Sequence, residues 1–546
     1  MKRRTVIKGM TAALPSLWLS RALGNDFLQA PNSGEPIAKG PFKPTWESLQ
    51  NYKTPDWFRD AKFGMWAHWG PQCQPEHGDW YARGMYEEGS SHYQYHLKKY
   101  GHPSKFGFKD VINEWKAEKW DPQELVSLYK NAGAKYFMAL ANHHDNFDLY
   151  ESKYQKHWNA ANIGPKKDLI GGWAKAARNN GLPFGVSVHA SHAWMWYEPA
   201  QLSDKKGELA GVPYDGKLTK ADGKGKWWDG IDPQELYAQN HALSKGYNWE
   251  WKKEIITTPS EDYCNKFYNR TIDLINKYNP DVVYFDDSQL PLWPVSDAGL
   301  KIAAHLYNKS IKEHGELRAV VNGKILNESQ RKAMVWDIER GQANEIQPLP
   351  WQTDTCIGGW HYDRGLYERD GYKTAKTVIQ TLADIVSKNG NLMLNIPVRG
   401  DGSIDEKERK IVEAIGQWMK ANSESIYGTR PWKIFGEGPA QQASAKLTEQ
   451  GFNEGKGKQF TYEDIRFAQK GDSLYATAMG LPADGKLVIK SLAKNSAHFT
   501  KEIQKVEWVP TKQSLTFERN ENGLVVSLPE KISDDLNYAN AIRILS

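Results

Sequence analysis

Acidic side chains suited to catalysis follow two apolar runs of the sequence. The run "DVVYFDDS" carries Asp286 and Asp287, and "MVWDIERG" carries Asp337 and Glu339. Because side chains alternate along a strand, we expect Asp286 and Asp287 to point to opposite sides and Asp337 and Glu339 to share one face. Carboxylates from two strands that meet at one mouth are the minimal equipment for cleaving a glycosidic bond. A helix cap or a structural ion pair is the alternative for Asp286 and Asp287.

Histidines lie at the ends of three other apolar runs. His68 follows "FGMWA", His143 and His144 follow "YFMALAN", and His189 follows "FGVSV", three residues before His192. A metal centre, a proton-relay or sugar-binding site, and a polar patch without chemistry would each use such residues. Adjacent side chains on a strand point to opposite faces, so we do not expect His143 and His144 to share one ion. Since neither an HExxH motif nor a cysteine partner accompanies them, we expect no metal.

Strands alternating with helices are predicted to position these side chains. The apolar runs that indicate strands cover residues 63–70, 136–145, 184–192, 281–288, 318–323, 334–341 and 391–402. Apolar residues at helical spacing indicate helices within residues 121–135, 171–181, 261–279 and 372–390. This order predicts an α/β fold, a (β/α)8 barrel of the TIM type, with a doubly wound parallel sheet as the rival. The barrel is favoured because its active site collects side chains from many strand ends around one ring.

The N-terminal residues have the plan of an export signal. A charged start with Arg3-Arg4 precedes an apolar stretch and small residues, and it resembles a twin-arginine signal. Residues 1–24 are therefore predicted to be a twin-arginine-type signal peptide, with an ordinary basic N-terminus as the alternative. The protein is expected to be periplasmic or secreted. No other stretch reaches the roughly 18 to 20 apolar residues of a membrane span.

Composition and the pattern of apolar residues divide the rest of the chain into three parts. Residues 25–45 are rich in Pro, Gly and Asn and are predicted to be a linker. Residues 46–424 contain the strand and helix alternation of the barrel. Residues 425–546 contain short alternating strands with Gly, Asn and Asp turns, which predict a small antiparallel β-sandwich.

The bulk composition excludes some classes of function. The formal charge of +5 over 546 residues is small, and basic residues are mixed with acidic ones, so no nucleic-acid partner is expected. The three cysteines fit no CxxC spacing, which argues against a zinc ribbon and a disulfide scaffold. The composition does not indicate an oligomeric state.

Five blocks of the sequence resemble the α-L-fucosidases of glycoside hydrolase family 29. They lie in the family's order between Trp46 and Pro431 and read "AKFGMWAHWG", "GDWYARGMY", "AKYFMALANHHDNFDLYESKY", "PDVVYFDDS" and "SKNGNLMLNIPVRGDGSID". The resemblance implies an exo-acting, retaining hydrolase that removes terminal α-L-fucosyl groups from oligo- or polysaccharides. It implies a fucosylated glycan as the substrate, no cofactor, and Asp286 as the nucleophile.

The resemblance also implies residues that bind the sugar. The family's fucose-binding histidines correspond to His68, His143 and His144, and its acidic residue and tryptophan to Asp79 and Trp80. Further candidates for substrate binding are His189, Arg340 and Trp360. His143 and His144 are expected to hold sugar hydroxyls without a metal, and Asp145 to shape the loop or orient a histidine.

The acid/base is variable in position within the family. Glu339 is assigned this role from its place at a strand end, with Glu345 as the rival. The chain departs from the family pattern by Asp79 in place of glutamate, Asp287 in place of glycine, and Gln352 in place of glutamate. It also lacks a tyrosine that the family usually has after the glycine of the third strand. These departures concern the leaving-group side more than the fucose pocket.

Residues 203–229 form an insertion with six lysines among glycines. It is either a solvated loop or a lid whose lysines meet an anionic sugar, which makes a sulfated fucan one candidate substrate. Two other functions remain as alternatives: a metal-dependent hydrolase that uses the histidine cluster, and a non-catalytic fucan-binding protein that lacks a working acid.

Overall fold

The computed structural model describes residues 34–442, 447 and 452–546. The predicted signal peptide and residues 25–33 of the predicted linker lie outside the described residues. Within the described part of the chain, no helix has both the length and the apolar character needed to cross a membrane.

Eight parallel strands close into a barrel, which confirms the predicted fold class. Each strand pairs with the next along the chain, and the eighth pairs with the first. Their side chains are buried almost throughout, because one face fills the barrel and the other packs under helices. The strands are β1 Phe63–Ala67, β2 Phe137–Asn142, β3 Phe184–Val188, β4 Val282–Ser288, β5 Val320–Lys324, β6 Val335–Glu339, β7 Trp351–Cys356 and β8 Gly390–Asn395.

Strand β7 is the one barrel strand that the apolar pattern did not predict. Its residues Gln352, Thr353, Asp354 and Thr355 are polar, yet all four are buried. Hydrogen bonds within the barrel make this burial tolerable, such as the one from Gln352 Nε2 to Asp337 Oδ1 at 2.8 Å. A strand whose buried side chains are polar contains no apolar run that could predict it.

The helices include the outer layer of the barrel. Four of them occupy the residues where apolar periodicity predicted helices: Pro122–Asn131, Leu169–Asn179, Glu261–Tyr278 and Ala375–Ser387. Asp121, Ser260 and Thr374 each accept a backbone N–H and so fix three of these helix starts. The α-helices of the described chain are α1 Trp46–Leu49, α2 Asp56–Ala61, α3 Tyr81–Gly84, α4 Ser91–Lys99, α5 Phe108–Glu114, α6 Pro122–Asn131, α7 Leu169–Asn179, α8 Ala193–Trp196, α9 Glu261–Tyr278, α10 Ala298–His314, α11 Arg364–Glu368, α12 Ala375–Ser387, α13 Glu406–Asn422 and α14 Pro439–Gln442.

Two antiparallel sheets follow the barrel, in agreement with the predicted C-terminal fold. One sheet has the order β14-β13-β17-β11-β10-β9 and the other β12-β16-β15. Residues of both sheets, including Phe467, Leu487 and Val526, share one apolar core, so the sheets form two packed layers. The strands are β9 Arg430–Glu437, β10 Ile465–Lys470, β11 Ser473–Ala478, β12 Lys486–Ile489, β13 Lys505–Trp508, β14 Gln513–Ser514, β15 Phe517–Asn520, β16 Gly523–Ser527 and β17 Asn540–Leu545.

Candidate active site

A cavity of about 280 Å³ opens at the carboxyl ends of the barrel strands. Barrel enzymes carry their active sites at this face. Most of the predicted site residues line the cavity, namely His68, Asp79, Trp80, His143, His189, Asp286, Glu339 and Trp360. The structure therefore brings together residues that are spread over almost 300 positions of the sequence.

Asp286, near the end of β4, lies among three nitrogen atoms. Its Oδ1 accepts a hydrogen bond from Lys324 Nζ at 2.8 Å, and its Oδ2 lies 3.2 Å from His144 Nε2 and 3.3 Å from His189 Nδ1. Burial by itself would raise the pKa of this carboxyl, but the Lys324 ammonium and the two histidines hold the pKa well below its usual range. Asp286 is thus an ionised carboxylate in a largely desolvated site.

Glu339, the last residue of β6, has the opposite character. Burial raises the pKa of Glu339 to about 7, with Lys324 opposing the rise and the charge of Asp286 adding to it. Lys324 Nζ lies 2.6 Å from Glu339 Oε2 and 2.8 Å from Asp286 Oδ1, so these two oxygens are at most about 5.4 Å apart, the total of the two distances. Two neighbouring carboxyls with separated pKa values are the usual sign of an acid and base pair.

Lys324 is itself surrounded by acidic groups of the cavity wall. Its Nζ lies 3.7 Å from Asp354 Oδ2, which accepts a hydrogen bond from Tyr284 Oη at 2.8 Å. Burial would lower the pKa of Lys324, but the surrounding carboxylates, Asp286 first, keep it well above its ordinary value. Burial and the charge of Asp354 raise the pKa of Asp337 well above its usual range. Lys324 is therefore a permanent cation in contact with both catalytic candidates, Asp286 and Glu339.

His143 is oriented by a hydrogen-bonded chain that begins at Asp145. Asp145 Oδ2 accepts a hydrogen bond from Gln72 Nε2 at 3.2 Å, and the same amide nitrogen donates to His143 Nδ1 at 2.7 Å. The second oxygen of Asp145 accepts the backbone N–H of Phe147 at 3.2 Å, so Asp145 both shapes the loop and orients the histidine, as predicted. With Nδ1 accepting, the proton of neutral His143 lies on Nε2.

The expectation that His143 and His144 point to opposite faces is wrong. Nitrogen atoms of His143, His144 and His189 lie within 4.8 Å of one another. Strand β2 ends at Asn142, so the alternation of side chains along a strand no longer applies at the two histidines. His144 is nevertheless engaged at both nitrogens, because Nδ1 lies 2.7 Å from the carbonyl of His189 and Nε2 contacts Asp286.

Asp79 has a structural task beside the cavity. Its carboxylate accepts the backbone N–H groups of Trp360 at 3.1 Å and His361 at 2.5 Å, and so it fixes the loop after β7. Burial would raise the pKa of Asp79, but its contacts with His361 hold it below the ordinary value. Trp80, which is 36% exposed, and Trp360 present aromatic surface to the cavity.

Asp287 lines the same cavity as Asp286 but has different partners. Its Oδ2 accepts a hydrogen bond from Ser191 Oγ at 2.6 Å, and its Oδ1 lies 2.7 Å from His192 Nε2. Both partners belong to the loop that follows β3. Asp287 therefore ties two neighbouring strand ends together beside the nucleophile candidate.

Arg340 and Glu345 are not part of the cavity wall. Arg340 turns away to Glu454, with Nε 3.6 Å from Oε2, and Glu345 is exposed in the connection between β6 and β7. The lysines of residues 203–229 are also exposed and do not line the cavity. Among the described residues that line it, Lys324 is the sole lysine or arginine.

Sequence reasoning missed several residues of the wall. Lys324 follows the apolar run of β5 by one residue, so the same argument that selected Glu339 could have found it. Trp66, Tyr284 and Ser288 were missed although they lie on predicted strands, and Ile325 follows Lys324. The other missed residues lie on loops or on the polar strand β7, where no local pattern marks them: Trp249, Asp354, His361 and Phe452.

Comparisons with known proteins agree with this geometry. The family model "Alpha-L-fucosidase" matches residues 29–424, and the model "Alpha-L-fucosidase C-terminal domain" matches residues 458–545. The tissue alpha-L-fucosidase of Rattus norvegicus is 26% identical over 470 residues, which cover 84% of this chain and 84% of that protein. The human tissue alpha-L-fucosidase is 25% identical over 500 residues, covering 90% and 88%. A crystal structure of Thermotoga maritima alpha-fucosidase in complex with fucose has a TM-score of 0.66 at 26% identity and covers 92% of this chain and 100% of that chain.

Proposed function

The chain belongs to the α-L-fucosidase family of glycoside hydrolases, and we propose that it is an exo-acting, retaining enzyme that removes terminal α-L-fucosyl groups from oligo- or polysaccharides. The observation that carries the proposal is the pair Asp286 and Glu339, held at most about 5.4 Å apart by one ammonium, the total of 2.8 and 2.6 Å. Retaining glycosidases place their two carboxyls about 5 to 5.5 Å apart, whereas inverting ones need room for a water between them.

In the first step, Asp286 attacks the anomeric carbon as the glycosidic bond breaks. Its pKa lies well below the usual range, so the carboxylate is available at neutral pH. Glu339, with a pKa of about 7, gives its proton to the leaving oxygen. The products are the free aglycone and a fucosyl ester of Asp286.

In the second step, Glu339 takes a proton from water while the water oxygen attacks the anomeric carbon. The ester bond breaks and Asp286 leaves as a carboxylate, so both groups return to their starting state. Two displacements at one carbon give net retention of configuration.

The histidines and tryptophans supply the sugar pocket. His143 lines the cavity and carries its proton on Nε2, while the ring nitrogens of His68 have no hydrogen-bond partner within the described part of the chain. Buried polar atoms without partners are costly, and sugar hydroxyls would satisfy them. Trp80 and Trp360 add aromatic faces for the apolar side of the ring.

The direct test uses purified protein and 4-nitrophenyl α-L-fucopyranoside. Wild type should release nitrophenol, and Asp286→Ala should not. Proton NMR of the first-formed fucose should show the α-anomer, and a β-anomer as first product would refute retention. Absence of release by wild type on this substrate and on fucosylated oligosaccharides would refute the proposed function.

A metal-dependent hydrolase is the second candidate, because nitrogen atoms of His68, His143 and His361 lie within 4.8 Å of one another. The hydrogen bond from Gln72 to His143 Nδ1 leaves one nitrogen of that ring for an ion. Dialysis against a chelator separates the two mechanisms. Full activity after dialysis supports the carboxylate mechanism, and loss that zinc restores supports the metal.

A non-catalytic fucan-binding protein would bind fucan oligosaccharides without releasing fucose from any of them.

A sulfated fucan as substrate is supported by the exposed lysines of residues 203–229. Comparing hydrolysis of matched sulfated and desulfated oligosaccharides by wild type tests this substrate.

We also propose export by the twin-arginine route, from the Arg3-Arg4 pair. Cell fractionation of wild type and of the Arg3→Lys, Arg4→Lys double variant tests it. Retention of the double variant in the cytoplasm is the expected result, and equal export of both proteins contradicts the proposal.

A further inference from the structure

An exposed phenylalanine from outside the barrel lines the catalytic cavity. Phe452 is 40% exposed, and it lies in residues 425–457, which neither family model matches. The other described residues of the wall come from the barrel strands and the loops between them. The connection between the barrel and the C-terminal sheets thus supplies one residue of the cavity wall, Phe452.

Backbone hydrogen bonds fix this phenylalanine beside the acid/base. The N–H of Phe452 donates to the carbonyl of Glu339 at 3.0 Å. The N–H of Glu454 donates to the carbonyl of Arg340 at 2.9 Å. The segment therefore runs directly along the end of β6, where Glu339 ends the strand.

Side chains of the next two residues add further anchors. The Asn453 side chain accepts the N–H of Gln342 at 2.8 Å and donates to the carbonyl of the same residue at 3.1 Å. Glu454 Oε1 accepts hydrogen bonds from Thr355 Oγ1 at 2.8 Å and from Lys373 Nζ at 2.6 Å. Such a set of contacts holds the segment in one position relative to the barrel mouth.

The backbone of Phe452 lies in a region that phenylalanine rarely adopts. Its φ is +57°, in the left-handed region that favours glycine and asparagine. A bulky residue there costs free energy, so the contacts of this segment must hold the backbone in that conformation. Packing does not explain the ring, because its side chain is exposed rather than buried.

We propose that the ring of Phe452 stacks on the sugar unit to which the fucose is attached, so that this residue forms the aglycone subsite. The leaving oxygen must lie within hydrogen-bond reach of Glu339, so the first aglycone ring lies on the Glu339 side of the cavity. Phe452, whose N–H donates to the carbonyl of Glu339, lines the cavity, as does Ile325, the residue after Lys324. A flat aromatic face suits a sugar ring, and this inference rests on the proposed fucosidase activity.

The test compares two substrates in wild type, Phe452→Asn and Phe452→Trp. Asparagine removes the ring and tolerates a positive φ, so the fold should persist. The substrates are α-L-fucosyl fluoride, which has no sugar aglycone, and the α-L-fucosyl disaccharide that wild type cleaves fastest among the 1→2, 1→3, 1→4 and 1→6 linkages. Phe452→Asn should lower kcat/KM for the disaccharide, relative to that for the fluoride, by about five- to tenfold. This is the effect expected when the complex loses roughly half of the free energy gained by burying a phenylalanine side chain. Phe452→Trp should restore most of that ratio.

Tyr462→Ala is the matched control, since Tyr462 is an exposed aromatic residue of the C-terminal part that does not line the cavity. It should leave both substrates unchanged. An equal loss on both substrates in Phe452→Asn, an unchanged ratio, or wild-type cleavage of the fluoride but of no disaccharide overturns the subsite. If wild type cleaves neither substrate, the proposed function itself has failed.

Discussion

Replacing Glu339 by glutamine tests which residue moves the proton. The amide has the size of the carboxyl and keeps an oxygen for the hydrogen bond from Lys324 Nζ, now 2.6 Å from Oε2, but it cannot titrate. The structure separates the two catalytic pKa values widely, since that of Asp286 is held well below its usual range while that of Glu339 is about 7. At a pH between these two pKa values, Asp286 is ionised and Glu339 is protonated, which is the active form of the enzyme.

The pH profile of wild type follows from these values. Because kcat/KM reports the free enzyme, it should fall as pH rises through the pKa of Glu339, about 7, where the acid loses its proton. From pH 6 to pH 9 kcat/KM should decline about 100-fold, because the protonated fraction of Glu339 falls tenfold with each pH unit above its pKa. On the acidic side activity is lost only as pH falls through the lowered pKa of Asp286, so that limb lies below the ordinary aspartate range.

Glu339→Gln should lose about 10²- to 10⁴-fold in kcat/KM on a fucosyl disaccharide at pH 6, the usual contribution of a general acid. Its profile should also lack the decline near pH 7. Azide, a nucleophile that needs no general base, should react with the fucosyl ester in Glu339→Ala and give α-fucosyl azide, which NMR identifies.

The rival Glu345 provides the control, because it is exposed and lies outside the cavity wall. Glu345→Gln should keep both the wild-type rate and the decline near pH 7. If Glu345→Gln loses the decline while Glu339→Gln keeps it, the assignment is reversed. If both variants keep it, neither glutamate is the acid.

Three further variants test the supporting structure. Lys324→Met removes the cation that lowers the pKa of both catalytic carboxyls, so the acidic limb of kcat/KM should move to higher pH; an unmoved limb contradicts the role of the ammonium. Gln72→Leu removes the donor to His143 Nδ1 and should weaken inhibition by free fucose about fivefold, measured as the inhibition constant, with equal inhibition counting against the orienting chain. Arg270→Met leaves Asp148 buried without its 2.7 Å ion pair and should lower the free energy of unfolding in urea by about 3 to 5 kcal/mol. A urea midpoint equal to that of wild type would show that this pair does not stabilise the fold.

The barrel could be predicted because most of its strands are apolar runs that alternate with helical periodicity. The exception, β7, shows what limits such a prediction. Its residues Gln352 and Asp354 face the polar network under Lys324, so their burial follows from tertiary partners rather than from their own hydrophobicity. A local pattern cannot show that a partner exists elsewhere in the chain.

The site could be predicted where chemistry coincides with a strand end. Asp286, Glu339 and His189 all lie near the carboxyl ends of strands β4, β6 and β3 and line the same cavity. His361 and Phe452 come from connections after β7 and after the barrel, where length and sequence give no register. Their placement depends on contacts such as the hydrogen bonds to Asp79 and to the carbonyl of Glu339, which only the fold reveals.

The position of Lys324 between the two carboxyls explains how Glu339 can serve as acid and then as base. In the free enzyme, burial raises the pKa of Glu339, and the charge of Asp286 raises it further. The two oxygens lie at most about 5.4 Å apart, the total of 2.8 and 2.6 Å through Lys324 Nζ, so at an effective dielectric constant of about 20 this repulsion is worth at least about 3 kcal/mol, or about two pKa units. Forming the fucosyl ester removes the Asp286 charge, and the ammonium, 2.6 Å away, then acts on Glu339 without competition from Asp286. Glu339 is thus protonated when it must give a proton and ionised when it must take one, and Lys324 is the fixed charge that makes both states accessible near neutral pH.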